Sequence, residues 1–165
     1  SQLENFEIDA GLTYLDNEPL GRVTSVPLYA EHYTLVTAEG SPLSEHQQIS
    51  WKDMAGLRLC LLTPDNQNRR IINQHLASAG VDVRTMLESN SMVVLLAHVN
   101  TGNWASIMPR NVAHSFGFAS RIRTIPIVEP TVAHRVGLVA THREPFTPLV
   151  SALLHEARSL GDIDV

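Results

Sequence analysis

The stretch Glu88 to Arg110, ESNSMVVLLAHVNTGNWASIMPR, decides the fold. It opens on Ser89, Asn90 and Ser91, residue types whose side chains accept hydrogen bonds from the unsatisfied N–H groups of a helix start. An apolar run from Met92 to Val99 follows, interrupted only by His98. Gly102 predicts the helix stop, because glycine takes the left-handed conformation there without strain. Trp104 to Met108 reads as a short buried strand, and Pro109 as the first turn of another helix. A helix fed into a strand through a tight turn is a connection of α/β sheets.

Working upstream, Leu57 to Leu62 (LRLCLL) is nearly continuous in apolar character, the pattern of a strand covered on both faces in a parallel sheet. The loop Thr63 to Asn68 follows it. Ile71, Ile72, Leu76 and Ala79 then recur at helical spacing, with Gly80 as the stop, and Val83 to Glu88 reads as the next strand. This alternation predicts a parallel α/β sheet from Leu57 to Met108. Further upstream, Phe6–Leu15, Val23–Leu28 and His32–Ala38 read as strands, with Asp16–Pro19 as a turn. Ser50 and Asp53 make an approximate capping box over Ser50–Met54. The abrupt start on an apolar strand suggests a fragment whose earlier strands lie upstream.

Downstream, a short helix runs to about Ser115 and ends at Gly117. Strands Ile122–Val128 and His134–Thr141 flank Glu129-Pro130. The last helix has Thr147 as cap and Pro148 at its first position. Leu149, Val150, Leu153, Leu154, Ala157 and Leu160 form its apolar face, and Gly161 stops it.

At 165 residues the chain suits one domain or two small lobes. A chain of this size buries roughly 70% of its unfolded surface, enough for a core without disulfides. Cys60 is the only cysteine, which excludes an internal disulfide and a cysteine-based zinc site, and its apolar surroundings make it a core residue. The net charge of −5, from 12 basic and 17 acidic residues, leaves no basic stripe for nucleic acid. Arg69-Arg70 and the Arg121/Arg123 pair read as solvated surface. No apolar run approaches the ~20 residues of a membrane span, and no secretory leader pattern opens the chain.

In open α/β sheets, ligands bind beyond the carboxyl ends of strands, against helix starts. Two loops fit: Thr63–Asn68, and Ser89–Ser91. Each precedes a helix whose first N–H groups lack intrahelical partners and carry the positive end of the dipole, so a carboxylate, sulfate or phosphate is held without a lysine. The plain alternative is that these residues cap helices and do nothing else. Catalytic readings find no support: there is no G-x-S-x-G elbow, P-loop or G-x-G-x-x-G. The histidines form no H-x-x-x-H or H-E-x-x-H pattern, and no close acidic pair suggests a general acid and base. No enzyme, metal or cofactor is expected.

From Phe6 to Leu160 the chain resembles the effector-binding domain of LysR-type transcriptional regulators, truncated at its N-terminal side. The resemblance rests on Ile8-Asp9-Ala10-Gly11-Leu12; on LYAEHYTLVTAEGSP at Leu28–Pro42, completed by Leu43; and on Ser50–Leu62. It continues through the helix and strand of Asn90–Pro109 and through Arg135–Leu154. One position departs from the family: where a second glycine usually follows Gly102 by two residues, this chain has Trp104. A Trp there is expected to fill space that glycine leaves open.

The resemblance implies a type 2 periplasmic-binding-protein-like α/β fold of two lobes, the first incomplete. Residues 1–28 with 145–165 would make the partial first lobe and 29–144 the second. It implies a small, anionic effector held between lobes and sensed through homodimer or tetramer contacts. DNA would be reached only through a winged helix–turn–helix that this chain lacks, in the cytoplasm and without a membrane. Thr63 and Pro64 match an effector-contacting position. The expected effector residues are Thr63, Pro64, Asp65, Asn66, Asn68, Ser91 and Trp104, with the turn around Leu12–Tyr14 as a further candidate. The rivals are a secreted solute-binding protein of the same fold, which needs a leader, and an enzyme on that fold, which needs a catalytic Cys, Lys or phosphate loop.

Overall fold

A computed structural model describes residues 3, 5, 7–82, 86–115, 121–142 and 145–161. By contacts the chain divides into two compact units, 1–31 with 133–165, and 32–132.

In the first unit, β1 (Ala10–Tyr14) pairs antiparallel with β8 (Ala133–Thr141), Leu12 opposite Leu138. The opening part of β2 (Val23–Ala38) lies on the other side of β8. At Gly137 there is no room for a side chain: a Cβ there would stand 2.4 Å from the Val26 carbonyl oxygen and 2.7 Å from Leu15 Cδ1. Helix α4 (Pro148–Leu160) covers this sheet with Val150, Leu154 and Ala157, against Val26, Leu28 and Ala140. Its start is as expected from sequence: the Thr147 hydroxyl accepts from Val150 N at 3.3 Å, and Pro148 occupies the first turn.

The two strands expected at Val23–Leu28 and His32–Ala38 are one continuous strand. The polar Glu31 does not break it, because the side chain turns inward and accepts a hydrogen bond from the Tyr14 hydroxyl. The expected first strand shortens to Ala10–Tyr14, and Phe6 lies outside the described residues.

In the second unit, β4 (Leu59–Leu62) and β5 (Met86–Ser89) are parallel, with Leu62 opposite Ser89. β6 (Ser106–Pro109) joins β4 through the parallel bridge Leu59–Ala105, then pairs antiparallel with β2, Tyr33 opposite Pro109. β7 (Ile122–Val128) takes the far side of β2 antiparallel and carries the short parallel β3 (Ile49–Ser50). The sheet is therefore mixed. The parallel part expected over Leu57–Met108 is present, and β2 supplies an antiparallel neighbour that no local pattern announced.

Helices α1 (Gln67–Ser78) and α2 (Met92–Val99) follow β4 and β5, and α3 (Arg110–Ser115) follows β6. Gly102 ends the α2 turn at φ +80°, as its stop role requires. Pro109 closes the strand rather than opening the helix. Residues Val83 and Gly117, read as a strand start and a helix stop, lie outside the described residues. Ser50 and Asp53 do cap reciprocally: Ser50 N donates to the Asp53 carboxylate at 3.0 Å, and Asp53 N donates to Ser50 Oγ at 3.3 Å. The Ser50 hydrogen bonds hold the Asp53 carboxyl below the usual carboxylate range.

One core cluster of this unit joins Val36, Cys60, Leu62 and Met108 to Leu95, Leu96 and Val99 of α2 and Ala113 of α3. Cys60 is fully buried, and burial pushes its thiol up to about 11. Among the described residues no helix is long and apolar enough to cross a membrane, and no cluster of His, Cys, Asp and Glu suits a metal ion.

Candidate functional site

The parallel register of the second unit brings the expected loops together. Because Leu62 stands opposite Ser89, both strands end at one level, and Thr63 N donates to the Ser89 carbonyl at 3.2 Å. Thr63 is half-buried, while Pro64, Asp65 and Asn66 are exposed. Asn66 caps α1: its side chain accepts from Asn68 N at 3.0 Å, and its own N–H donates to the Thr63 carbonyl at 3.0 Å. Arg70 closes over the loop from outside, donating to the Asp65 carbonyl at 2.8 Å.

Asn68 is buried, and its side-chain oxygen accepts from the Tyr33 hydroxyl. That bond ties the first turn of α1 to β2. At the second loop, Ser89 Oγ accepts from Ser91 N at 3.1 Å. Ser91 stands in extended backbone before α2 and makes no side-chain cap bond. The Ser91 hydroxyl is thus not spent on the first N–H groups of α2, which carry the positive end of the helix dipole.

Trp104 is not part of this gathering. It precedes Ala105, which is bridged to Leu59 at the amino end of β4, whereas Thr63 lies beyond the carboxyl end. There Trp104 packs partly buried on the core cluster, with Arg58 Cζ 4.6 Å from its ring centroid, a cation–π distance. Leu12–Tyr14, expected as a turn, is strand in β1 and belongs to the first unit.

Two residues of the second unit were missed by sequence reasoning. Arg69, read as solvated surface, is 4% exposed. It donates to Glu88 Oε1 at 2.8 Å, to Asn73 Oδ1 at 2.8 Å and to the Leu62 carbonyl. The correction has a physical reason: two polar groups at the strand ends and Asn73 one turn along α1 accept from the guanidinium, which pays its desolvation. The signal was present, since Arg69 falls at i, i+3 and i+7 with Ile72 and Leu76. His32 is the other, the first residue of the unit. Its Nδ1 is buried and finds no hydrogen-bond partner among the described residues. A lone histidine in an apolar strand was its only signal.

A sequence profile described as "LysR substrate binding domain" matches residues 1–161. The chain belongs to the LysR substrate-binding domain family. A curated relative, the "Probable nitrogen assimilation transcriptional activator" of Synechococcus elongatus, is 22% identical over 130 residues. That match takes in 79% of this chain and 42% of the relative, so this LysR domain spans less than half of that protein's length. Among solved structures, the effector binding domain of QuiR in complex with shikimate aligns at TM-score 0.79 and 21% identity, covering 97% of this chain and 75% of that one. The CcmR regulatory domain of Synechocystis PCC6803 in complex with 2-PG aligns at TM-score 0.84 and 16% identity, covering 96% and 76%. These likenesses fix the fold of the LysR domain as the type 2 periplasmic-binding-protein-like α/β fold.

Proposed function

We propose that this chain is the effector-sensing part of a DNA-binding transcription regulator and takes a small carboxylate-bearing molecule at Thr63–Asn68 and Ser89–Ser91. One observation carries the reading: the Thr63–Ser89 backbone bond sets the starts of α1 and α2 side by side at one sheet end. Helix starts offer N–H donors and a positive dipole end to an anion. Shikimate and 2-PG, the ligands in the two similar solved structures, belong to the same anionic class.

The domain performs no reaction and needs no cofactor. An effector acts by its difference in affinity between two states of the protein, which is all a ligand can contribute to such an equilibrium. The two compact units serve as the lobes that adopt these states. Self-association into a dimer or tetramer carries the shift to a winged helix–turn–helix elsewhere in the full-length protein, in the cytoplasm where its DNA lies. Trp104, at the opposite end of β4, sets packing and does not touch the effector.

The test is thermal unfolding against benzoate, shikimate, 2-phosphoglycolate, phosphate and sulfate. A ligand that binds only the native state raises the midpoint by mass action, on the order of 2.7 kcal/mol at 100 times its Kd. At least one anion is expected to raise it, and Thr63→Ala is expected to weaken the rise. The variant keeps the fold, because Thr63 joins Ser89 through its backbone N–H. No shift with any anion would overturn the reading.

A further inference from the structure

The first unit presents an open sheet edge beside a bare apolar helix face. β1 ends the strand order β1-β8-β2, and among the described residues no strand lies beyond it. Leu15 N donates to the Arg135 carbonyl at 2.8 Å. By the antiparallel alternation Gly11 N–H also faces β8, and the N–H groups of Ala10 and Leu12 point to the outer edge. Such an edge is a template for another strand. The Leu12 side chain is 66% exposed, on the sheet face it shares with Ala10, which packs on the α4 cluster. On α4 itself, Leu149, Leu153 and Leu160 are 65%, 41% and 61% exposed. With Glu156 they recur at i, i+4, i+7 and i+11, one stripe along the helix beside its buried face.

The alignments give the size of what belongs there. Nearly all of this chain matches 75% of the QuiR domain and 76% of the CcmR domain, so about a quarter of each has no counterpart in it. A quarter of a domain longer than these 165 residues exceeds the ~30 residues of a strand–helix–strand unit. The first residues also lie at this edge: Thr141, next to the Ala10–Ala140 pair, donates its hydroxyl to the Leu3 carbonyl at 3.2 Å.

We propose that the outer edge of β1 and the surface of Leu12, Leu149, Leu153 and Leu160 are the docking site for a strand and a helix of the same polypeptide, encoded immediately ahead of Ser1. The strand takes the N–H groups of Ala10 and Leu12, and the helix lies beside α4 over the leucines. A second copy of this chain fits worse. Parallel pairing of two α4 stripes sets Glu156 against Glu156, and antiparallel pairing sets it against Leu153, so a carboxylate is buried without a counter-charge. A helix of different sequence is free to place a donor there. This inference is independent of the effector reading.

Amide hydrogen exchange on the full-length protein, which holds the upstream sequence, tests it. The Ala10 and Leu12 amides are expected to be protected as strongly as Gly11, and in the 165-residue chain at least roughly tenfold less. Leu153→Lys should lower the urea midpoint of the full-length protein, whereas Ser151→Lys, on the opposite flank of α4, should leave it unchanged. Exchange is read on the unsubstituted protein, so it decides even if Leu153→Lys does not fold. Fast exchange of Ala10 and Leu12 in the full-length protein, or a Leu153→Lys without effect there, would sink the proposal. So would equal protection in the 165-residue chain alone, or protection that fades on dilution, the mark of a second copy on this edge.

Discussion

Arg69 of α1 and Glu88 of β5 form a 2.8 Å ion pair whose guanidinium end is buried and whose carboxylate end is 39% exposed. Arg69 also donates to the carbonyl of Leu62. It thereby fastens the last residue before each loop, Leu62 before Thr63 and Glu88 before Ser89. The asymmetry of burial predicts unequal costs. Glu88→Ala removes a counter-charge from a buried guanidinium and should cost about 3 kcal/mol. Arg69→Met keeps the stem's packing and returns Glu88 to water, and should cost about 1–2 kcal/mol. Urea unfolding of both variants measures the difference, and equal costs would contradict it.

Burial raises the Glu31 carboxyl above its ordinary value of 4.5, and the hydrogen bond from Tyr14 offsets part of the rise. A raised folded value means that the fold prefers the protonated form. Its contribution is complete below the unfolded value and is lost as pH climbs through the folded one. Glu31→Gln removes the charge and keeps an acceptor for Tyr14. It should raise the thermal midpoint at pH 7 and flatten the stability profile above pH 4.5. Tyr14→Phe should do the reverse, lowering stability at pH 7 by about 1–2 kcal/mol. A fall in midpoint for Glu31→Gln at pH 7 would refute this assignment.

Gly137 has no room for a methyl group. The obstructing atom at 2.4 Å is the Val26 carbonyl oxygen, part of a paired strand and unable to swing aside as a side chain would. Gly137→Ala should therefore cost about 3 kcal/mol, at the upper end of overpacking effects. The loss should appear as early amide exchange in β8 and α4. A neutral substitution would show that β2 and β8 separate more easily than their register implies.

Where hydrophobic period and caps act locally, the sequence was sufficient. Thr147, Pro148 and Gly161 mark α4 to the residue, and Ser91 stands where a helix start was expected, whereas the loop read through Asn68 ends at Asn66, the cap of α1. What escaped notice were residues whose environment is made by distant partners. Glu31 looks like a strand breaker until Tyr14, seventeen positions away, supplies its donor. Trp104 adjoins the loop motif in sequence, yet β6 begins at the far end of the sheet and carries it away from Thr63. His32 declares itself only when every neighbouring polar atom has been matched. The pattern of elements is written in the chain, whereas the address of each polar side chain is written in the register between strands.

The single thiol of Cys60, closed off between β4 and α2, doubles as a built-in clock. Its sulfur lies 3.7 Å from the Leu95 carbonyl, and β4 and α2 must part before a reagent reaches it. Labelling followed over time would count openings of the second unit alone, with no probe introduced and no signal from the first. If opening and closing outpace the chemistry, the rate reports the free energy of that local event. An effector that binds this unit would slow the clock in proportion to its occupancy.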